Sequence, residues 1–349
     1  MSWINESGPA RDVVITSRIR LARNIASIPF PTVMQPQHAA QVAEKIRKSL
    51  HKKAVDSGSL FTFVYIRDVP EIERQILVEK HLASRDLMES PDISAILLDS
   101  QEKIVVMVNE EDHIRMQCIL PGFQLKEAWE KLNQVDNMIE EKVEYAFHEQ
   151  LGYLTCCPTN VGTGLRSSVM MHLPALTANK QMNAILQTIS KVGLTARGIY
   201  GEGSEALGSI YQISNQITLG PSEEELIDNL IIITKQIMEK ERIARKALHK
   251  TGGMQFEDSL WRAYGVLQNA RVLELKEFMI YISQMRLGVS MGLIPYLTLE
   301  DVDGLMTAGQ PAGVMRKVGR TLEGIEVDIA RAEVIREALD EIIKSKKNR

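Results

Sequence analysis

Cysteine is scarce in this chain. Three occur in 349 residues: Cys118, Cys156 and Cys157. Three thiols, two of them adjacent, cannot build a disulfide framework, and the count points to a reducing compartment. There is no Cys-x-x-Cys pair, which argues against a structural zinc site. Long apolar runs are missing too. Nothing approaches the ~20 residues of a membrane-spanning helix, and the polar N-terminus, "MSWINESGPARD", does not read as a signal peptide. A soluble cytoplasmic protein with no membrane partner is expected. Excess charge is absent as well: the formal net charge is −4 and the pI about 6.1. That excludes the broad basic surface of most nucleic-acid binders. Finally, the P-loop signature G-x-x-x-x-G-K-[ST] does not occur, nor does the kinase glycine-rich loop.

What is present suits a globular enzyme. Hydrophobic residues make up 44% of the chain, enough for a substantial core and more than one domain. Residues 37–50 and 125–145 show helical spacing of apolar positions, as do 71–88. "LFTFVYIR", "SAILLD", "KIVVMVN", "IRMQCIL" and "SSVMMHL" read as strands. From Ser222 the texture changes. Ser222 followed by Glu225 predicts a capping box at the head of a long helix, and "TGGMQF" (251–256) reads as a linker. Beyond it every segment has helical period. Residues 251–349 carry 13 Lys and Arg against 14 Asp and Glu, so this part is no basic DNA reader either. The expectation is a mixed domain over 1–250 and a small helical domain over 251–349.

Four clusters carry chemistry. In "TSRIRLARN", Arg18 and Arg20 would share one face of a strand, and two guanidinium forks suit a polyphosphate. The alternative is a solvated basic strand. In "VNEEDHIR", Glu110, Glu111 and Asp112 crowd the end of an apolar strand. Neighbouring carboxylates repel, so Mg²⁺ or a guanidinium would relieve them. The alternative is an acidic turn. In "TCCPTNVGTGLRSSV", Gly162 and Gly164 would let backbone approach a ligand, with Arg166 reaching a phosphate. Cys157 is either an inert thiol or a thiolate favoured by nearby arginines. "ARGIYGEGSEALGSIYQISN" places Arg197, Glu202 and Glu205 among four glycines, which reads as a lid or as a long surface loop.

Taken in order, "SRIRLARN", "NEEDHIR", "CCPTNVGTGLRSSV", "RGIYGEGSEA" and "IYQISN" resemble the signature elements of the ATP:guanido phosphotransferases, the arginine and creatine kinase family. The resemblance runs from about Val14 to Leu248. It implies an α+β fold: a catalytic domain with an antiparallel sheet flanked by helices, followed here by a small all-α C-terminal domain. It implies ATP and Mg²⁺ as cofactors. It also implies a role for each matching residue. Cys157 would lie against the substrate guanidinium as a thiolate, with Cys156 the extra one. Glu111 and Glu202 would grip the guanidinium, and Glu110 would lie near Mg²⁺, through water. Arg18, Arg20, Arg115, Arg166 and Arg197 would clamp phosphates.

The arginine motif begins at Thr16, leaving no room for the helical N-terminal domain of the free-guanidine kinases, and an extra helical domain follows instead. That order is similar to the protein-arginine-kinase branch of the family, whose substrates are arginine side chains of proteins. This branch implies further partners: repressors and unfolded proteins as substrates, an McsA-like zinc-finger activator, and the Clp ATPase/protease system that would consume marked proteins in a stress response. A homodimer is also open. The branch carries an Arg-Asp-x-x-Arg-Ala phosphoarginine-binding motif. The local counterpart, "VDIARA", keeps Asp328 and Arg331 but has Val327 for the first arginine; the other reading is a helical i,i+3 pair. Two alternative functions stand beside the protein kinase. One is a kinase for a free guanidino metabolite such as arginine, and the other is a phosphoarginine-binding adaptor with weak catalysis.

Overall fold

The computed structural model describes residues 3–50, 54–55, 59–198 and 206–347. Its strands are β1 (Val14–Arg23), β2 (Ala54–Val55), β3 (Ser59–Tyr65), β4 (Ala95–Asp99), β5 (Ile104–Val108), β6 (Ile114–Pro121), β7 (Phe147–His148), β8 (Gly152–Tyr153), β9 (Leu165–His172), β10 (Leu194–Gly198) and β11 (Ile210–Asn215). Among the described residues, nine of these form one sheet in the order β10-β11-β9-β1-β6-β5-β4-β3-β2. Every neighbouring pair is antiparallel, as the family resemblance implies.

The helices are α1 (Pro36–Leu50), α2 (Glu71–Glu79), α3 (Arg85–Glu89), α4 (Leu125–Glu140), α5 (Pro174–Ala178), α6 (Met182–Ser190), α7 (Glu223–Asn269), α8 (Leu275–Ser290), α9 (Leu299–Ala308), α10 (Pro311–Val318) and α11 (Ile325–Lys347). In α1 the apolar positions Ala39, Val42, Ala43, Ile46 and Leu50 recur every three or four residues and are all buried. That stripe fixes the face α1 turns to the sheet. Each large side chain so buried contributes about 1.5–3 kcal/mol.

Strand alternation divides the sheet's two faces. Ile19 and Leu21 join a core with residues of α1, α4, α6 and α7. Ile96, Val105, Met107, Ile119 and Met170 belong to the opposite core, where Met279, Ile282 and Met285 of α8 also pack. The C-terminal helices therefore cover part of the face to which Arg18 and Arg20 point.

Two expectations change. The helix read over 71–88 is split into α2 and α3, because His81 adopts a left-handed conformation, φ 58°. The linker read at 251–256 is instead a break inside α7, at Gly253 (φ 47°, ψ −131°). Helix resumes on both sides, so the connection is a strut with one kink. The head of α7 is the expected capping box, with Glu225 N donating to Ser222 Oγ and Ser222 N to Glu225 Oε2.

A buried polar network joins the N-terminal part to the C-terminal helices. Arg286 Nε donates to Asp303 Oδ1 at 2.7 Å, and Arg11 Nε to Asp303 Oδ2 at 3.0 Å. Arg286 Nη2 reaches the carbonyl of Arg11 at 2.8 Å, and Ser283 Oγ lies 2.8 Å from His172 Nε2. Arg245 pairs with Glu241 at 2.7 Å and donates to the carbonyls of Asp12 and His172. Residues 3–5 pack against α9.

Candidate active site

The site is built on the centre of the sheet. Arg20 of β1 sits directly opposite Arg166 of β9, and Arg18 opposite Ser168. On the other flank, Ala22 faces Arg115 of β6. Arg197 of β10 is opposite Gln212 of β11, which is itself opposite Met170. Residues opposite one another across antiparallel strands share a face. Arg18, Arg20, Arg115, Arg166 and Arg197 therefore all project to one side, from strands spaced about 4.8 Å apart.

Their electrostatics are unusual. Arg18 donates from Nη2 to the neutral Gln212 Oε1 at 2.9 Å. Arg20 Nε is buried with no protein acceptor. Burial, then the fields of Arg115 and Arg166, pulls the Arg18 pKa down to about 10. Burial and the same crowd push Arg20 well below the ordinary guanidinium value. Among the described residues, positive charge is concentrated here without matching carboxylates at Arg18 or Arg20, which suits a polyanion.

One acid is close. Glu110 Oε1 accepts from Arg115 Nη1 at 2.5 Å. Burial works against its charge, but Arg115 holds the Glu110 carboxyl below its usual range. Glu110 lies in the tight turn 109–113 that joins β5 to β6, closed by Asn109 N donating to the His113 carbonyl. Chemistry and architecture separate within this turn. Asp112 and His113 are buried. Asp112 Oδ1 accepts from Asn24 Nδ2 at 2.6 Å and from Cys156 N at 2.7 Å. His113 Nδ1 accepts from Ile25 N, so its Nε2, 2.9 Å from the Pro29 carbonyl, is the protonated nitrogen. Glu111 is exposed. Partial desolvation, then Asp112 and Glu110, raise its carboxyl pKa.

Asp112 thus ties the acidic turn to the two-cysteine segment. Cys157 is half-buried, with Sγ 3.0 Å from Thr159 Oγ1. Burial and then Asp112 push the Cys156 thiol up to about 12, so it stays a thiol at neutral pH. Cys118 is wholly buried and raised further by its apolar surroundings.

The glycines here admit the protein's own backbone. A Cβ on Gly162 (φ 113°) would lie 2.2 Å from the Thr218 carbonyl oxygen, and one on Gly164 (φ 63°) 2.6 Å from that of Ala22. Arg23, next to Arg18 and Arg20 in sequence, faces the other way. It pairs with Asp136 at 2.8 Å, donates to the Thr163 carbonyl and stacks 3.5 Å over the Tyr153 ring.

A family model described as "ATP:guanido phosphotransferase, C-terminal catalytic domain" matches residues 41–244. The chain belongs to the ATP:guanido phosphotransferases. A second model, "Protein-arginine kinase McsB C-terminal domain", matches 253–349. Curated relatives include a protein named protein-arginine kinase from Desulforamulus reducens, 47% identical over 342 residues, covering 97% of this chain and 96% of the relative. Another of that name, from Bacillus subtilis, is 48% identical over 338 residues, covering 97% and 93%. Among solved structures of this phosphotransferase fold, a lombricine kinase superposes with a TM-score of 0.60 at 27% identity, covering 68% of this chain and 70% of that one. A duplicated taurocyamine kinase from Schistosoma mansoni shares the fold at 24% identity, also with a TM-score of 0.60, covering 76% and 37%.

The other phosphotransferase positions read from sequence divide as follows. Glu202 lies outside the described residues, as does Glu205. Asp328 and Arg331 are together, Arg331 Nη1 donating to Asp328 Oδ1 at 2.5 Å. Arg331 is 1% exposed and donates further to the carbonyls of Gly309 and Leu273, both at 2.7 Å. Two residues were not legible as site residues. Gln212 orients Arg18 from a neighbouring strand. His81 stands near the arginines, and burial followed by Arg18 and Arg20 lowers its pKa to about 4. The left-handed turn that carries His81 interrupts a helical pattern, which was the one local signal.

Among the described residues no group of three His, Cys, Asp or Glu could hold a metal ion. Mg²⁺ does not need one, since it is commonly held by one or two carboxylates together with substrate phosphates. Glu110 and Glu111, beside the arginines, fit that arrangement. No helix among the described residues is long and apolar enough to cross a membrane.

Proposed function

We propose that this phosphotransferase moves the γ-phosphoryl group of ATP to arginine side chains of proteins. The observation that carries this is the concentration of guanidinium charge on one sheet face, lacking carboxylate partners at Arg18 and Arg20 among the described residues, beside an acidic turn tethered through Asp112 to Cys156, the neighbour of Cys157. The relatives named protein-arginine kinase supply the acceptor class.

Phosphoryl transfer asks for in-line positioning and for neutralisation of the transferred group's oxygens. Arg18, Arg20, Arg115, Arg166 and Arg197 are assigned to hold the phosphates. Rigid strands set their spacing, so little reorganisation accompanies the reaction. Mg²⁺, when bound, would add charge neutralisation near Glu110. The acceptor guanidinium is protonated and a poor nucleophile. A carboxylate can orient it and take one proton as the N–P bond forms and the P–O bond to ADP breaks. Glu111, exposed and with a raised pKa, suits proton acceptance. Glu202 is assigned the second carboxylate from its motif alone, and Cys157 the contact to the guanidinium. We read Asp328 and Arg331 as a structural clamp, because carbonyls and Asp328 already occupy the Arg331 guanidinium. The cellular role follows from the branch resemblance: a cytoplasmic stress-response kinase that marks repressors or misfolded proteins for a Clp protease, with an McsA-like activator.

The test offers Mg-ATP with either free L-arginine or an unfolded arginine-containing protein. The N–P product is followed by phosphorus NMR and mass spectrometry under non-acidic conditions. Phosphate on protein arginine alone is expected. Phosphate on free arginine as the main product would replace this reading with a metabolite kinase. A Glu202→Ala variant that folds but keeps wild-type activity would overturn the assignment of the second carboxylate.

A further inference from the structure

The cysteine segment has an apolar shoulder that neither the core nor the phosphoryl-transfer chemistry uses. Four large apolar side chains beside it face solvent: Phe147 is 58% exposed, Leu151 43%, Ile217 52% and Leu219 50%. Single exposed apolar residues are ordinary on a protein surface. Several on touching segments mark an interaction site.

These segments do touch, and they are tied to the acceptor end of the site. Thr218, which separates Ile217 from Leu219 in the chain, is buried. Its Oγ1 donates to the Thr159 carbonyl at 2.9 Å and to the Val161 carbonyl at 2.7 Å. Thr159 is the residue whose Oγ1 lies 3.0 Å from Cys157 Sγ. Gly162 connects the same segment to the β7–β8 hairpin, because its carbonyl accepts from Tyr153 N at 2.7 Å. Tyr153 pairs with Phe147 across the hairpin, with ring centroids 5.3 Å apart. A Cβ on Gly162 would meet Leu219 Cα at 2.8 Å, so the hairpin side and the 217–219 segment are in close contact.

Charge narrows the choice of occupant. Residues 144–163 and 215–225, which carry the shoulder, contain five Glu and no Asp, Lys or Arg. An acidic surface repels its own copy, which disfavours a symmetric contact between two chains. It attracts a segment that is both apolar and basic. A polypeptide whose arginine enters beside Cys157 is such a segment. Its neighbouring residues advance about 3.3 Å each when extended and must leave the site over its rim.

We infer, on the protein-arginine reading proposed above, that Phe147, Leu151, Ile217 and Leu219 dock the residues flanking the target arginine and favour apolar ones. The selected feature is an arginine within an exposed apolar stretch, of the kind that unfolding bares.

The test gives the full chain Mg-ATP and two short peptides with one central arginine. Leucine and phenylalanine flank the arginine in one peptide, and serine flanks it in the other. Phosphoarginine formation, followed by mass spectrometry, yields kcat/KM. Wild type should favour the apolar peptide about tenfold, the worth of one buried side chain. In the double variant Ile217→Ser/Leu219→Ser the ratio should fall to about one, with kcat/KM for the serine peptide unchanged. Phe147→Ser, on the separate hairpin, should lower the ratio too, and it decides alone if thermal melts show the double variant unfolded. A wild-type ratio of one, or a ratio that the variants leave intact, would overturn the docking shoulder while the protein-arginine reading stands. So would an oligomer that the double variant dissociates in sedimentation without changing the ratio, since the shoulder would then serve self-association. Phosphorylation of free arginine but of neither peptide would overturn the protein-arginine reading, and the shoulder with it.

Discussion

The molecule holds two groups of buried or half-buried arginines, and they are treated in opposite ways. At the junction of the N-terminal part with the C-terminal helices, Arg11 and Arg286 share the Asp303 carboxylate, and Arg245 pairs with Glu241. Remaining donors go to backbone carbonyls. On the sheet face, among the described residues, Arg18 donates to a neutral amide and Arg20 has a buried Nε without an acceptor. Matched charge holds a structure together; unmatched charge is tolerated only where a ligand supplies the counterpart. The difference distinguishes a rivet from a binding site, although both are written in the same residue.

That comparison can be broken by substitution. The largest effect should come from the unmatched group. Arg20→Ala should cost phosphoryl transfer at least about a thousandfold, as loss of a charge-stabilising arginine does elsewhere. Its melting temperature should hold or rise, because a desolvated, repelled cation is gone. Steady-state kinetics and calorimetric melts check both halves. A destabilised protein of full specific activity would make Arg20 structural.

Asp303→Ala should do the reverse. It leaves Arg11 and Arg286 buried without their counter-ion, a loss of about 3–5 kcal/mol. Denaturant titration should show the shift, while the folded fraction keeps most of its activity.

The acid turn allows a finer test. In the proton-accepting role proposed for it Glu111 acts when ionised, and its pKa is raised by partial desolvation and by its acidic neighbours. Activity should therefore fall as pH drops through that raised value, up to about tenfold per unit, and the limb should vanish from the residual activity of Glu111→Gln. The pH–rate profile gives the answer.

The smallest effect belongs to Cys156→Ser. Its thiol is pushed to about 12 by burial and Asp112, so it is a neutral group that a serine hydroxyl can replace, and its backbone N–H still anchors Asp112; activity should stay within about twofold of wild type. A thiol-alkylating reagent should still inactivate that variant through Cys157.

Much of this was legible in the chain. Alternation placed Arg18 and Arg20 on one face, as the register of β1 bears out. The capping box at Ser222 and the helical period of α1 followed from local rules. What escaped was decided by long-range packing. Gly162 and Gly164 looked like ligand-cradling glycines, yet the backbone they admit belongs to Thr218 and Ala22. The segment at 251–256 looked like a linker, but one residue, Gly253, takes up the whole change of direction. Gln212 and His81 carry no motif by themselves. Their relevance comes from strand register and from a turn that brings a histidine near two arginines. The packing of residues 3–5 against α9 was invisible for the same reason, since the two lie some 300 residues apart in sequence.

That last separation has a consequence for how the protein is made. Residues 3–5 pack against α9, and Arg11 finds its partner at position 303. Neither contact can form until α9 has been synthesised. A loop of that length is closed at modest extra entropy, about 0.6 kcal/mol per doubling. It is slow to search, however, because distant contacts delay folding. The sheet strands all precede α9 in the chain and can pair before it, whereas the contact of residues 3–5 with α9 must wait for that helix. A nascent chain therefore gains the strands that carry Arg18, Arg20, Arg115, Arg166 and Arg197 well before α9 can pack against residues 3–5.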